Sequence, residues 1–147
     1  MKKPLIVIAG PTACGKTDLS INLAEKIGGE IISGDSMQVY KLMDIGTAKP
    51  TAEETRGIPH FLIDELYPDE EYNVMIFQKK AKEYMKEIYD RGHIPIIVGG
   101  TGFYINALVY DNDFTEEESS SIRDELYIIA ETEGKEKLHD MLADIDI

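Results

Sequence analysis

"IAGPTACGKT", Ile8 to Thr17, follows the apolar run Leu5-Ile6-Val7-Ile8 and decides the fold. Gly10, Gly15, Lys16 and Thr17 stand at the Gly-x-x-x-x-Gly-Lys-Thr spacing of a phosphate loop. Glycines let such a backbone curl until successive N–H groups converge on an anion. The next helix adds the positive end of its dipole. Lys16 supplies a mobile charge, and the Thr17 hydroxyl can join the shell of a Mg²⁺ ion shared between two phosphates. Gly10, Pro11, Thr12, Ala13, Cys14, Gly15, Lys16 and Thr17 therefore make a candidate site for a diphosphate or a nucleotide such as ATP. A strand, this loop and a helix in succession indicate an α/β chain of the P-loop NTPase-like, three-layer kind with a parallel sheet.

Working outward, Pro4–Ala9 reads as a strand buried on both faces. A helix from about Gly15 to Ile27 follows, with Leu19, Leu23, Ala24 and Ile27 inward and Gly28-Gly29 as its stop. "EIISGDSMQVY" predicts a strand over Glu30–Ser33 and a polar turn over Gly34–Ser36. Residues 41–58 read as a loop with one helical turn near Ala52–Thr55, and His60–Asp64 as a third strand. Asn73 is a fitting N-cap for a helix reaching Arg91, with Val74, Phe77, Ala81, Tyr84 and Ile88 inward. Ile94–Val98 is the fourth strand, and a further helix starts near Thr101. The alternation predicts right-handed parallel crossovers.

Composition changes at "YDNDFTEEESSS", residues 110–121. Two short helices are predicted beyond it, about Ser121–Thr132 and Lys135–Ala143, the first with Ile122, Leu126 and Ile129 on one face. The expected organisation is a P-loop α/β core over 1–112 and the start of a helical insertion over 113–147. The net charge of −13 is uneven: residues 1–110 carry 12 Lys/Arg against 15 Asp/Glu, and residues 111–147 carry 3 against 13. No basic patch for gripping nucleic acid is visible in these totals. No run approaches the roughly 20 apolar residues of a membrane helix, and the short apolar stretch after Met1-Lys2-Lys3-Pro4 does not suit a signal peptide. The expectation is a cytoplasmic protein. The single cysteine, Cys14, excludes an internal disulfide and a cysteine-based zinc site.

The loop alone leaves two chemistries open. A small-molecule or nucleoside kinase is the default, but it usually keeps a carboxylate at the end of an inner strand for Mg²⁺. "IPIIVGG" ends there in Gly99-Gly100. Asp64 is a weak Mg²⁺ candidate that reads more readily as a strand-end carboxylate capping a turn. The chain has three arginines, Arg56, Arg91 and Arg123, and Arg91 reads as a helix C-terminal charge. Asp35 is better placed, at the carboxyl end of the second strand where sites form in such sheets. It reads equally as a base or as an Asx turn.

Five segments, "GPTACGKT", "SGDSMQVY", "MDIGTAKP", "GIPHFLID" and "IPIIVGGTGFY", resemble in order and spacing the signatures of bacterial tRNA dimethylallyltransferases. The resemblance covers residues 4–110 closely and 115–143 loosely. It implies transfer of a dimethylallyl group from dimethylallyl diphosphate to N6 of adenosine 37 in the anticodon stem-loop of tRNA. The phosphate loop would then hold departing pyrophosphate with Mg²⁺ at Thr17, and Asp35 would be the general base. By the same resemblance Asp35, Ser36, Met37 and Gln38 contact the RNA, Thr101 lies near the reacting nitrogen, and Arg123 contacts tRNA. The family usually has serine at Cys14 and histidine at Phe61, and runs to about twice this length. The resemblance thus implies a truncated chain whose exposed sheet edge invites self-association.

Overall fold

Strands β1 (Ile6–Ala9), β2 (Gly29–Ser33), β3 (His60–Phe61) and β4 (Ile94–Gly99) form one parallel sheet in the order β1-β4-β2-β3. The structure is a computed structural model and describes residues 3–111 and 121–145. The two central strands are apolar on both faces because both faces are covered. Ile31 and Ile96 pack with Ile21 and Ala24 of α1 (Lys16–Ile27). Ile32 and Ile97 pack on the other side with Phe77, Ala81 and Ile88 of α2 (Val74–Asp90) and with Tyr104, Ile105 and Leu108 of α3 (Gly102–Val109). Each fully buried side chain of this size contributes about 1.5–3 kcal/mol. Helix, sheet and helices make the three expected layers.

Local chemistry sets the helix ends. Asn73 caps α2, its side chain accepting from the N–H groups of Met75 and Ile76 at 3.0 and 3.1 Å. Gly28 takes the left-handed conformation (φ 66°) and returns its N–H to the Ala24 carbonyl. The turn after Pro50 is a capping box: Glu54 accepts from Thr51 N–H at 2.7 Å, and Thr51 Oγ1 accepts from Glu54 N–H at 3.3 Å.

Three expectations need correction. β1 is not buried on both faces. It borders only β4 among the described residues, and Val7 is more than a third exposed. In α1, Leu19 faces solvent, and the buried stripe is Ser20, Ile21 and Ala24. Ser20 fits there because its hydroxyl bonds back to the Thr17 carbonyl at 2.7 Å. The third strand stops at Phe61, since Leu62 (φ 60°) and Asp64 (φ 54°) are left-handed and Leu62 N–H turns to Glu65 Oε1 at 2.6 Å.

The chain divides into two compact units, Met1–Asn112 and Asp113–Ile147. The second contains α4 (Ser121–Thr132) and α5 (Lys135–Ala143), packed on one another. On α4, Ile129 is half-buried while Ile122 and Leu126 are exposed. Most of the acidic stretch lies outside the described residues. Among the described residues no helix is long and apolar enough to cross a membrane.

Candidate functional site

Between β1 and α1 the phosphate loop turns through two left-handed residues, Ala13 (φ 62°) and Gly15 (φ 84°), the latter at the helix N-cap. Glycine is needed at 15 for that angle. Lys16 Nζ donates across the loop to the Pro11 carbonyl at 2.6 Å, which sets the ammonium over the curl. Cys14 is exposed on the loop rim.

Asp35 follows β2 in a tight polar turn. Its Oδ1 accepts from the N–H groups of Met37 at 2.8 Å and Gln38 at 3.3 Å. The Asx turn is therefore formed, and it fixes the carboxylate at the carboxyl end of the sheet. Ser33 Oγ accepts from Asp35 N–H at 3.3 Å and donates to Gln38 Oε1 at 2.8 Å. Gln38 Nε2 continues the chain of bonds to the carbonyls of Thr47 and Ala48, at 2.9 and 3.1 Å. The Gln38 amide thus points into the protein scaffold. Met37 is exposed beside it.

The connection after Tyr40 is anchored by Lys49, whose side chain is only 6 % exposed. Its ammonium donates to Asp64 Oδ1 at 2.6 Å, Asp44 Oδ1 at 2.9 Å and the Tyr40 carbonyl at 2.6 Å. Burial works against this charge, and the bonds from Asp64 and Asp44 more than offset it, holding the pKa above the usual lysine value. Asp64, read above as a Mg²⁺ candidate or a strand-end cap, is an ion-pair partner of Lys49. His60 donates Nδ1–H to the Ile58 carbonyl at 2.7 Å, and burial lowers its pKa. With that tautomer Nε2 is an acceptor.

Beside this turn, β4 ends in Gly99. A Cβ there would lie 2.5 Å from the Gly34 carbonyl oxygen and 2.6 Å from its carbon. No side chain fits, so the carboxylate a kinase would keep at this strand end has no room. Gly99→Ala is expected to cost about 1–3 kcal/mol in urea denaturation through overpacking. Gly100→Ala, whose Cβ meets Gly10 oxygen at 3.3 Å, should cost less. Thr101 occupies the N-cap position of α3 without a side-chain cap bond. Arg123 lies on α4 in the second unit.

The phosphate loop, Asp35, Met37, Gln38 and the two glycines at the end of β4, Gly99 and Gly100, line one cleft of about 720 Å³. Sequence reasoning had these residues but not Lys49, Ile45 or His60, which also line it. Lys49 is the one lysine in "MDIGTAKP", but no strand or helix period links it to Asp44 or Asp64. Among the described residues no group of three or more His, Cys, Asp or Glu side chains is arranged to hold a metal ion.

Comparison with known proteins agrees with this geometry. Residues 38–147 match the family model described as IPP transferase. A tRNA dimethylallyltransferase of Lachnoclostridium phytofermentans is 59 % identical over 145 residues, 98 % of this chain and 46 % of that protein. The crystal structure of the full-length tRNA isopentenylpyrophosphate transferase of Bacillus halodurans superposes with a TM-score of 0.77 at 48 % identity, covering 99 % of this chain and 48 % of that one. A eukaryotic dimethylallyltransferase captured acting on tRNA gives a TM-score of 0.78 at 42 % identity, covering 89 % and 33 %. The chain spans about half the length of the curated relatives it matches. A family match over most of its residues, joined to a phosphate loop and an Asx-held carboxylate in one cleft, means that the chain belongs to the IPP transferase family.

Proposed function

We propose that this chain carries the donor site and the base of a tRNA dimethylallyltransferase, acting in the cytoplasm on adenosine 37 of an anticodon stem-loop. The observation that carries the reading is the cleft itself. It joins a phosphate loop to Asp35 and has no room for an acid at Gly99. A kinase is left without its strand-end carboxylate, whereas a prenyl transferase needs an anion cradle and a base.

In this reading the loop amides and Lys16 hold the diphosphate of dimethylallyl diphosphate and stabilise charge growing on the departing oxygen. The allylic C–O bond breaks and the N6–C bond forms. The N6 proton passes to the Asp35 carboxylate, because the delocalised exocyclic nitrogen would otherwise become cationic as it bonds carbon. The adenine leaves its stack to reach the cleft. Ser36 and Met37 border the base, Gln38 holds the turn, and Thr101 and Arg123 are RNA contacts. Thr17, half-buried at the start of α1, fits a Mg²⁺ ion whose other ligands would be diphosphate oxygens and water, as such ions use few protein ligands. That ion would supply charge neutralisation on the leaving group. The sheet edge at β1 is where a second copy would pair in any self-association.

Dimethylallyl diphosphate should raise the melting temperature of the chain more than ATP does, and should shield Cys14 from alkylation by iodoacetamide. Prenyl transfer to an anticodon stem-loop should follow. Stronger protection by ATP, with phosphoryl transfer abolished by Lys16→Ala, would return the kinase.

A further inference from the structure

Residues 41–50 have no regular secondary structure, yet their path is closely specified. Leu42 (φ 66°), Gly46 (φ 83°) and Ala48 (φ 51°) are left-handed, a conformation that L residues keep only where surroundings impose it. The surroundings here are two polar clamps. Gln38 takes the carbonyls of Thr47 and Ala48, and buried Lys49 takes Tyr40, Asp44 and Asp64. Thr47 Oγ1 closes the turn between them by donating to the Met43 carbonyl at 2.6 Å.

At the tip of this framed turn Ile45 is 100 % exposed, and Leu42 nearby is 80 % exposed. Ile45 borders the same cleft as Asp35 and Met37. A lone exposed isoleucine is ordinary. One thrust outward by a buried lysine, at the mouth of a cleft meant to receive an extruded base, has a more definite use. Apolar side chains of this shape wedge between bases and take the place of a neighbour removed from the stack.

We propose that the 41–50 turn positions the acceptor RNA: Ile45 packs against a nucleobase left unstacked beside the reacting adenosine, and Lys49 is the positioning residue that aims it. This rests on the prenyl-transfer reading and adds to it a residue that selects an open, single-stranded loop over a stacked helix. The dimethylallyl group is a poorer counterpart for Ile45, since a small apolar ligand is normally enclosed rather than met by a fully exposed side chain.

The test uses an anticodon stem-loop carrying 2-aminopurine in place of the acceptor adenosine. That base lacks the 6-amino group, so it binds without reacting, and its fluorescence rises on unstacking. The wild-type chain should raise the fluorescence. Ile45→Ala and Lys49→Met should weaken RNA binding about tenfold, with the melting-temperature rise on dimethylallyl diphosphate unchanged. Ile45→Leu should bind as the wild type. An Ile45→Ala protein that binds RNA like the wild type overturns the inference and leaves the transfer reading intact. So does an Ile45→Ala protein that loses donor protection instead. No fluorescence rise with the wild-type chain also overturns it, while the transfer reading is decided separately by donor shielding of Cys14.

Discussion

Asp35→Asn is expected to slow single-turnover prenyl transfer by about 10²–10⁴-fold, the usual contribution of a well-placed general base, without weakening the binding of dimethylallyl diphosphate. The substitution is clean because of how the residue is held. Asp35 Oδ1 accepts the N–H groups of Met37 and Gln38, and an asparagine carbonyl oxygen accepts them equally well. The turn, the Ser33–Gln38 bond beneath it and the phosphate loop all survive, and only the ability to take a proton is removed. Asp35→Ala would remove the turn as well and confuse the two losses. Rapid-quench transfer with labelled donor measures the first quantity and donor-induced melting shift the second. Transfer within threefold of the wild type would leave Asp35 as a turn residue and nothing more.

How much of this could be read without coordinates follows from what local sequence can specify. The phosphate loop was legible because its glycines, lysine and threonine answer to one another within eight residues. α2 was legible because Asn73 caps it and five apolar residues share one of its faces. β2 and β4 were legible because central parallel strands need continuous apolar runs. Leu19 misled because periodicity gives a stripe but not its centre. The stripe is centred instead by Ser20, whose hydroxyl is satisfied locally and can therefore be buried. The third strand was overextended because "HFLID" is apolar enough for five residues, while left-handed Leu62 is stabilised by Glu65, outside the run. The clamps by Gln38 and Lys49 were illegible for a similar reason. Their partners stand 5 to 15 residues away across an irregular turn, where neither period 2 nor period 3.6 links them.

Arg91 has a second role beyond its expected place at the helix end, and that role yields the larger stability prediction. Arg91 does end α2, but its guanidinium turns to Glu30 on β2, with Nε to Oε1 at 3.0 Å and Nη2 to Oε2 at 2.7 Å. His93 donates Nδ1–H to the same Oε1 at 2.6 Å. The Glu30 side chain is 3 % exposed and that of Arg91 is 43 % exposed. The Arg91 bonds hold the Glu30 pKa below its ordinary 4.5, against the upward pull of burial, and His93 adds to the lowering. Losing one partner is therefore asymmetric. Arg91→Ala leaves the buried Glu30 carboxylate with His93 as its one remaining side-chain partner among the described residues, and should lower the melting temperature by several degrees. Glu30→Gln leaves a guanidinium that can reach water, and should cost less.

The sign with pH follows from the depressed folded-state value. The contribution is present above pH 4.5 and lost as pH falls through that lower value, when Glu30 protonates. The gap between wild type and Arg91→Ala should accordingly narrow between pH 7 and pH 3 in urea titrations. No resolvable gap at pH 7, or one that stays constant with pH, would mean the pair is a surface contact. Glu30 is the second residue of β2 and Asp35 lies beyond the strand's other end, so the folded Arg91→Ala protein should keep its full melting rise with dimethylallyl diphosphate. Loss of that rise would mean the ion pair and the cleft are coupled through the sheet.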